Sequence, residues 1–75
     1  MKDLFDLQKK YNLSEHTMEL ISRLLYANGV CASEIYFIEY NCMLDCLQIE
    51  YDFKDCKIFY IPIRLIEVLK ERSAK

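Results

Sequence analysis

The spacing of apolar residues changes abruptly at Asn28-Gly29, and this change restricts the chain to a mixed α and β fold. Before this point, apolar side chains recur every three or four residues, which is the period of an amphipathic helix. After it, residues 46–53 alternate between apolar and polar side chains, which indicates a strand with one face in the core. The apolar set of that strand is Leu47, Ile49, Tyr51 and Phe53.

Two helices are predicted before the change of period. The first covers residues 3–11, where Asp3 can cap the start and Asn12 interrupts the pattern. The second covers residues 14–28, because the Ser14 hydroxyl can accept a hydrogen bond from a backbone N–H of the first turn. Together they predict a helical N-terminal half.

Three strands are predicted after the change of period, over residues 34–40, 46–53 and 56–61. Lys54-Asp55 provides a tight connection between the second and third strands. Pro62 closes the third strand and can begin a last helix, because the first turn of a helix needs no N–H there. The predicted fold is therefore a small α+β domain over residues 1–75 in the order ααβββα. Its three-stranded antiparallel sheet has the helices packed on one face, since short connections favour neighbouring strands.

The chain has 75 residues, and 53% of them are apolar. A domain of this size buries only about 60% of the surface that its unfolded chain exposes, so its stability is expected to be marginal. A homodimer would bury more surface and is kept as an alternative assembly. The first residues carry acids where a signal peptide needs an apolar run, and no apolar run reaches the ~20 residues of a membrane span. We therefore expect a soluble, cytoplasmic protein with no membrane partner.

Four cysteines raise the questions of disulfides and of a zinc site: Cys31, Cys42, Cys46 and Cys56. Without a secretory signal, the thiols are expected to stay reduced. Zinc ribbons use closely paired cysteines, whereas the gaps in this chain are ten, three and nine residues. We expect the cysteines to be small packing side chains, with Cys46 and Cys56 inside strands, and we expect no metal or other cofactor.

The single histidine, His16, is a candidate for a neutral general base. It falls in the first turn of a predicted helix, where the helix dipole disfavours the imidazolium ion. No nucleophile or orienting partner is identifiable beside it. One glycine in the whole chain is also too few for a phosphate-binding loop. We therefore expect a protein that is not an enzyme.

Acidic residues are concentrated in the middle of the chain. Residues 30–53 carry five acids and no base, whereas residues 54–75 carry six bases and three acids. Strand alternation places Gln48, Glu50 and Asp52 on the solvent face of the second strand. Aromatic side chains beside charged ones are typical of protein-binding surfaces.

The register between the first two strands decides which side chains lie beside these acids. If Tyr40 pairs with Cys46, the side chains that join the acidic face are Tyr36, Ile38 and Tyr40. If the hairpin is one residue tighter, those three turn into the core, and the exposed ones are Ile35, Phe37 and Glu39. Both registers leave an apolar or aromatic side chain among acids. The predicted protein-binding residues are Tyr36, Glu39, Tyr40, Gln48, Glu50 and Asp52.

Residues 7–21 resemble a helix-turn-helix, because apolar side chains fall where that motif buries them, at Leu7, Tyr11, Leu13, Met18 and Ile21. The resemblance implies a DNA-binding regulator that uses residues 3–28, with DNA contacts from Lys9, Lys10, His16 and Arg23. Gln8 departs from the small residue usual at the helix crossing. Glu15 and Glu19 would bring negative charge towards the phosphates. A plain helical hairpin gives the same spacing, so DNA binding is the alternative hypothesis.

The leading hypothesis is a non-enzymatic module that docks its acidic, Tyr-bearing sheet face on the basic surface of a nucleic-acid-binding protein. Carboxylates at strand spacing can imitate a row of phosphates. The small size, the richness in Lys, Asn, Ile and Tyr, and the lack of catalytic motifs resemble small accessory proteins of phages and mobile elements in bacteria of low G+C content, including anti-CRISPR proteins. This resemblance implies an inhibitor. A structural homodimer is the second alternative.

Overall fold

The computed structural model describes residues 1–73 and has the predicted ααβββα order. The helices are α1 (Leu4–Tyr11), α2 (Glu15–Ala27) and α3 (Ile63–Ser73), and a short 3₁₀ helix (Ala32–Glu34) precedes the sheet. The strands are β1 (Ile35–Asn41), β2 (Cys46–Tyr51) and β3 (Lys57–Pro62). They form an antiparallel sheet in the order β1-β2-β3. The predicted α+β fold is confirmed, and residues 74–75 of the basic tail lie outside the described residues.

Local caps explain where the first two helices begin and end. The Asp3 carboxylate accepts from a backbone N–H in the first turn of α1, and Asn12 ends that helix in the left-handed conformation with φ 52°. The Ser14 side chain accepts from the backbone N–H of Thr17 at 3.1 Å. Just past α2, Gly29 has a φ of 80°, which costs glycine little and other residues more. Both helices were therefore predictable from short sequence signals.

An apolar core lies between the helices and one face of the sheet. Ile38 of β1 lies opposite Ile49 of β2, and Leu47 of β2 lies opposite Ile61 of β3. These four side chains are almost fully buried. The helices and the segment after α2 contribute further buried side chains to this core: Leu7, Met18, Ile21, Leu25, Val30 and Ile66. Each fully buried side chain of this size contributes about 1.5–3 kcal/mol.

The β1–β2 hairpin adopts the tighter of the two predicted registers. Tyr40 lies opposite Leu47, and Ile38 lies opposite Ile49. Residues directly opposite each other share a face of the sheet. The side chains of Ile38 and Tyr40 are therefore on the helix side and do not join the acidic face.

A β-bulge at Tyr36 changes the face of the sheet on which the first side chain of β1 lies, relative to the face that this register predicts. Ile35 pairs with Tyr51 and Phe37 pairs with Glu50, so Tyr36 is an extra residue in β1. An extra residue reverses the alternation of side chains on either side of it. Ile35, expected to be exposed in this register, is consequently buried in the core at 8% exposure.

The second strand is shorter than predicted, and the turn that follows it is longer. β2 ends at Tyr51, and the carbonyl of Asp52 accepts from the backbone N–H groups of Asp55 and Cys56 at 2.9 and 2.8 Å. Asp52 and Cys56 both have positive φ values, 55° and 50°. Phe53 was expected on the core face and is instead 77% exposed. Cys56, expected inside a strand, lies in this turn, because the left-handed residues end the strand pairing.

Two backbone contacts bind remote parts of the chain to the sheet. At the outer edge of β1, the Met1 nitrogen donates to the Ile38 carbonyl at 2.9 Å, and the Ile38 N–H donates to the Met1 carbonyl at 2.7 Å. The N–H of Ile63, at the start of α3, donates to the carbonyl of Asp45 in the β1–β2 turn at 3.1 Å. Within residues 1–73, every helix is too short or too polar to cross a membrane.

Candidate functional site

The face of the sheet that points away from the helices carries three rows of cross-strand neighbours. The rows are Phe37–Glu50–Ile58, Glu39–Gln48–Tyr60 and Asn41–Cys46–Pro62. We call this surface the open face. Phe37, Ile58 and Tyr60 are large side chains that remain 37–46% exposed there. An open sheet face with this much apolar and aromatic surface is a candidate binding surface.

Two carboxylates of the open face have no cationic partner within residues 1–73. The ion pairs among the described residues are Glu19 with Arg23 and Asp52 with Lys57, and neither includes Glu39 or Glu50. The Gln48 side-chain amide donates to Glu39 Oε1 at 3.2 Å, which orients that carboxylate without neutralising it. Glu39 and Glu50 are diagonal neighbours across the β1–β2 pair, a position that places side chains about 7–8 Å apart. The open face therefore has a net negative charge.

The bulge adds Tyr36 to the edge of the open face. Its ring contacts the ring of Phe53 edge to face, with 5.1 Å between the ring centroids and an angle of 77° between the planes. Burial, followed by the neighbouring Cys56 thiol and the Glu50 carboxylate, raises the pKa of the Tyr36 hydroxyl. Tyr36 is therefore neutral at physiological pH and close to an acid of the open face.

The structure brings together four of the six predicted protein-binding residues. Tyr36, Glu39, Gln48 and Glu50 lie on the open face or at its edge, and Tyr40 and Asp52 do not.

Tyr40 is placed differently because the tighter register turns it towards the helix side. Its hydroxyl donates to Asp45 Oδ1 at 2.6 Å. This hydrogen bond, with some burial, raises the pKa of Tyr40 to about 12. Asp52 lies beyond the end of β2 and pairs with Lys57 at 3.4 Å, so its charge is compensated.

Sequence reasoning missed three apolar members of the site: Phe53, Ile58 and Tyr60. Phe37 was expected to be exposed in the tighter register but was not assigned to the binding surface. In β3 the residues that face the core are as apolar as those that face outward, so alternation alone did not distinguish the two sets. The pairing of Gln48 with Tyr60 distinguishes the two sets, but it can be predicted only if the length of the β2–β3 turn is known.

The residues of the alternative DNA-binding hypothesis lie on the first two helices. Lys9 lies over the ring of Phe5, 4.5 Å from its centroid. Arg23 forms an ion pair with Glu19 at 2.6 Å, which cancels its charge locally. Lys10 and His16 are exposed. Glu19 therefore offsets the charge of Arg23, whereas Lys9 and Lys10 form no ion pair within the described part of the chain.

Gln8, the residue that departs from the helix-turn-helix pattern, contacts the turn between α1 and α2. Its side-chain amide donates to the Leu13 carbonyl at 3.0 Å and to Glu15 Oε1 at 3.3 Å. It therefore stabilises a helical hairpin in which a long polar side chain fills the position usually occupied by a small one.

The cysteines do not pack in the way that the sequence suggested. Cys31, Cys42 and Cys56 are exposed and Cys46 is half-buried, and all four are free thiols. Within the described part of the chain, no three metal-ligating side chains lie close enough together to hold an ion. The thiols are therefore surface groups, and only Cys46 belongs to the open face.

An open groove lies on the other side of the molecule, along α2. Its volume is about 380 Å³, and its lining is mainly apolar, from Glu19, Ser22, Arg23, Tyr26, Ala27, Val30 and Ala32. The Glu19–Arg23 ion pair on its lining is internally neutral. The groove therefore lacks the uncompensated charge of the open face.

Comparison of the chain with protein-family models, with curated proteins and with solved structures gives no significant match. The geometry of the open face is therefore the main indication of function.

Proposed function

We propose that this protein is a binding module whose open face docks on a basic surface of another protein. The observation that carries the proposal is the combination of Glu39 and Glu50, both without a cationic partner among the described residues, with exposed Phe37, Ile58 and Tyr60. Carboxylates left without partners gain most from a cationic partner, because a charge-assisted hydrogen bond is stronger than a neutral one.

The apolar part of the open face favours a protein as the partner. Aromatic side chains are enriched at the centres of protein interfaces, where they contribute a large share of the binding energy. The strands form a rigid platform for them, since β2 is paired on both sides. A basic partner surface with an apolar centre complements this arrangement in both charge and chemistry.

The chemistry of the partner follows from the acids. Protein surfaces that bind nucleic acid are rich in Lys and Arg that contact phosphates. Glu39 and Glu50, at a spacing fixed by the sheet, present negative charge to such a surface in place of phosphates. We therefore propose that the protein is a small inhibitor of a nucleic-acid-binding protein, of the kind found among accessory proteins of phages and mobile elements.

The test reverses the two charges and compares the result with an equal reversal elsewhere. Partners captured from a lysate of the native host are identified by mass spectrometry, and the affinity of the purified partner is then measured at increasing salt. We expect Glu39→Lys with Glu50→Lys to weaken binding by at least about a hundredfold, since like charges then face each other. The matched control, Glu67→Lys with Glu71→Lys, changes the net charge equally at exposed helix positions. Equal affinity of the two double variants would contradict the proposal.

A direct assay separates this proposal from DNA binding. The wild-type protein is titrated into a labelled DNA duplex at low salt, where phosphate contacts contribute most. We expect no binding. Binding that is lost steeply as salt rises, and that is weakened by Lys9→Ala with Lys10→Ala, would favour the DNA-binding alternative.

A further inference from the structure

The two edges of the sheet differ in their backbone hydrogen bonds. Ile38 exchanges two hydrogen bonds with Met1, at 2.9 and 2.7 Å, so its N–H and C=O point away from β2. In an antiparallel ladder, successive residues of a strand direct these groups alternately to one side and to the other. The direction of the N–H and C=O groups of Ile38 therefore determines the direction of these groups at every paired residue in the rest of the sheet.

The same alternation, continued across the sheet, determines which N–H and C=O groups of β3 are unpaired. Because Ile38 points outward, Glu39 bonds with Gln48, and the next residues of β2 bond with β3. Those residues are Leu47 and Ile49, opposite Ile61 and Phe59. On β3, the N–H and C=O groups of Ile58 and Tyr60 are therefore directed away from the sheet. No described residue forms a hydrogen bond with them.

We propose that β3 pairs with β3 of a second copy of this chain to form a six-stranded antiparallel sheet. A twofold axis at Phe59 places Ile58 opposite the partner's Tyr60 and Tyr60 opposite the partner's Ile58. This register pairs all four outward-directed N–H and C=O groups of each copy. The backbone of Pro62 also faces outward, so its missing N–H removes no hydrogen bond within the monomer. Because Pro62 cannot donate to a partner strand, the new ladder is limited to Ile58 and Tyr60.

The composition of β3 favours a second copy as the occupant of this edge. Natural edge strands are protected by charges, prolines, bulges or covering segments. The β1 edge has a bulge at Tyr36 and the Met1 contact, whereas β3 has its charge and its proline only at its two ends, with four consecutive apolar residues, 58–61, between them. In the proposed register, Lys57 lies opposite the partner's Ile61, so the two lysines do not face each other. The edge is thus complementary to itself in hydrogen bonds, and it places no like charges opposite each other.

The dimer goes beyond the proposed function and does not depend on it. Its evidence is the backbone of β3, whereas the evidence for the basic partner is the acids on β1 and β2. Pairing through β3 would make the open faces of two copies one continuous surface. Glu39 and Glu50 of the two copies would then lie towards opposite ends of it.

The test measures mass and amide exchange of the purified protein without any partner. Sedimentation equilibrium from micromolar to millimolar concentration is expected to show a transition from 9.0 kDa to twice that mass. Hydrogen exchange at the amides of Ile58 and Tyr60 is expected to slow as the dimer forms. A single 9.0 kDa species at every concentration would overturn the proposal.

The decisive variant is Tyr60→Pro, which removes an outward N–H that the monomer does not use. We expect it to raise the dimer dissociation constant by about tenfold or more, the effect of leaving a hydrogen-bond partner unpaired. Phe37→Ser, on the open face at the other edge, is expected to leave the constant unchanged. Equal effects of the two variants would indicate dimerisation through the open face and overturn the proposal. Should circular dichroism show that Tyr60→Pro is unfolded, Ile58→Lys provides the same comparison.

Discussion

The two faces of the sheet are built from the same three strands and have different compositions. The helix side consists mainly of aliphatic side chains, and its central residues Ile38, Leu47, Ile49 and Ile61 are at most 1% exposed. The open face has two carboxylates, two amides and two aromatic rings in the same rows, and its large apolar side chains are 37–46% exposed. The helix side supplies the burial that stabilises the fold. The open face contributes little of it, and its residues are available for binding.

The largest expected effect contrasts two isoleucines on the two faces. Ile49→Ala is expected to lower the free energy of unfolding by about 2–5 kcal/mol, because it leaves a cavity in the core. Ile58→Ala, on the open face of the next strand, is expected to cost at most about 1 kcal/mol. Urea denaturation at low protein concentration measures both. Equal losses would show that the open face contributes to stability as much as the core does.

The second prediction concerns the side chain that the bulge places in the core at the start of β1. Ile35→Ala is expected to lower the free energy of unfolding by about 1.5–3 kcal/mol, the contribution of one buried side chain. Phe37→Ala, on the other side of the bulge and on the open face, is the control in the same denaturation experiment, and it is expected to cost at most about 1 kcal/mol. If the two losses were equal, the bulge would not separate a buried side chain from an exposed one.

A smaller effect is expected from the aromatic pair at the edge of the open face. Phe53→Ala removes the edge-to-face contact with Tyr36 and is expected to cost about 0.5–1.5 kcal/mol. Met43→Ala, at a side chain that is 93% exposed, is the control, and it is expected to change stability by less than about 0.5 kcal/mol. Urea midpoints of the two variants give the comparison. A Phe53→Ala protein as stable as the control would mean that the ring contact does not hold the turn.

The smallest effect concerns the hydroxyl of Tyr40 on the helix side. Its pKa is raised from 10.0 to about 12 because the protonated hydroxyl donates to Asp45. The stability from this hydrogen bond is complete below pH 10 and is lost as pH rises towards 12. Denaturation midpoints across this interval are expected to fall more in the wild type than in Tyr40→Phe. Tyr26→Phe, at an exposed position of α2, is the control and is expected to behave as the wild type does.

The helices and the core face could be predicted because their signals are local. Ser14 caps α2 with its own hydroxyl, and Asn12 and Gly29 adopt the left-handed conformations that their residue types tolerate. The alternation at Leu47 and Ile49 is equally local, since a strand with one buried face shows it directly. These features need no knowledge of the partner strand.

The open face could be predicted only in part, because its membership depends on pairing between strands. The bulge at Tyr36 is not encoded by a glycine or a proline, so simple alternation in the tighter register placed Ile35 on the exposed face. Cys56 has a positive φ, and its residue type gives no signal of this in the sequence. This conformation lengthens the β2–β3 turn, so Phe53 lies outside the strand in which it was predicted. Glu39, Gln48 and Glu50 were identified because polar side chains within strands are themselves a signal.

The contact between Asp45 and Ile63 has a consequence for where α3 can form. A helix leaves the N–H groups of its first turn without partners inside the helix, and a nearby side chain usually accepts from one of them. The residues before α3 are Tyr60, Ile61 and Pro62, which include none of the usual capping residues. One of these N–H groups is instead accepted by a carbonyl of the β1–β2 turn, supplied from a remote part of the chain. The first hairpin therefore adds to the local signal of Pro62 a hydrogen bond at the start of the last helix, and an isolated C-terminal peptide would lack that bond.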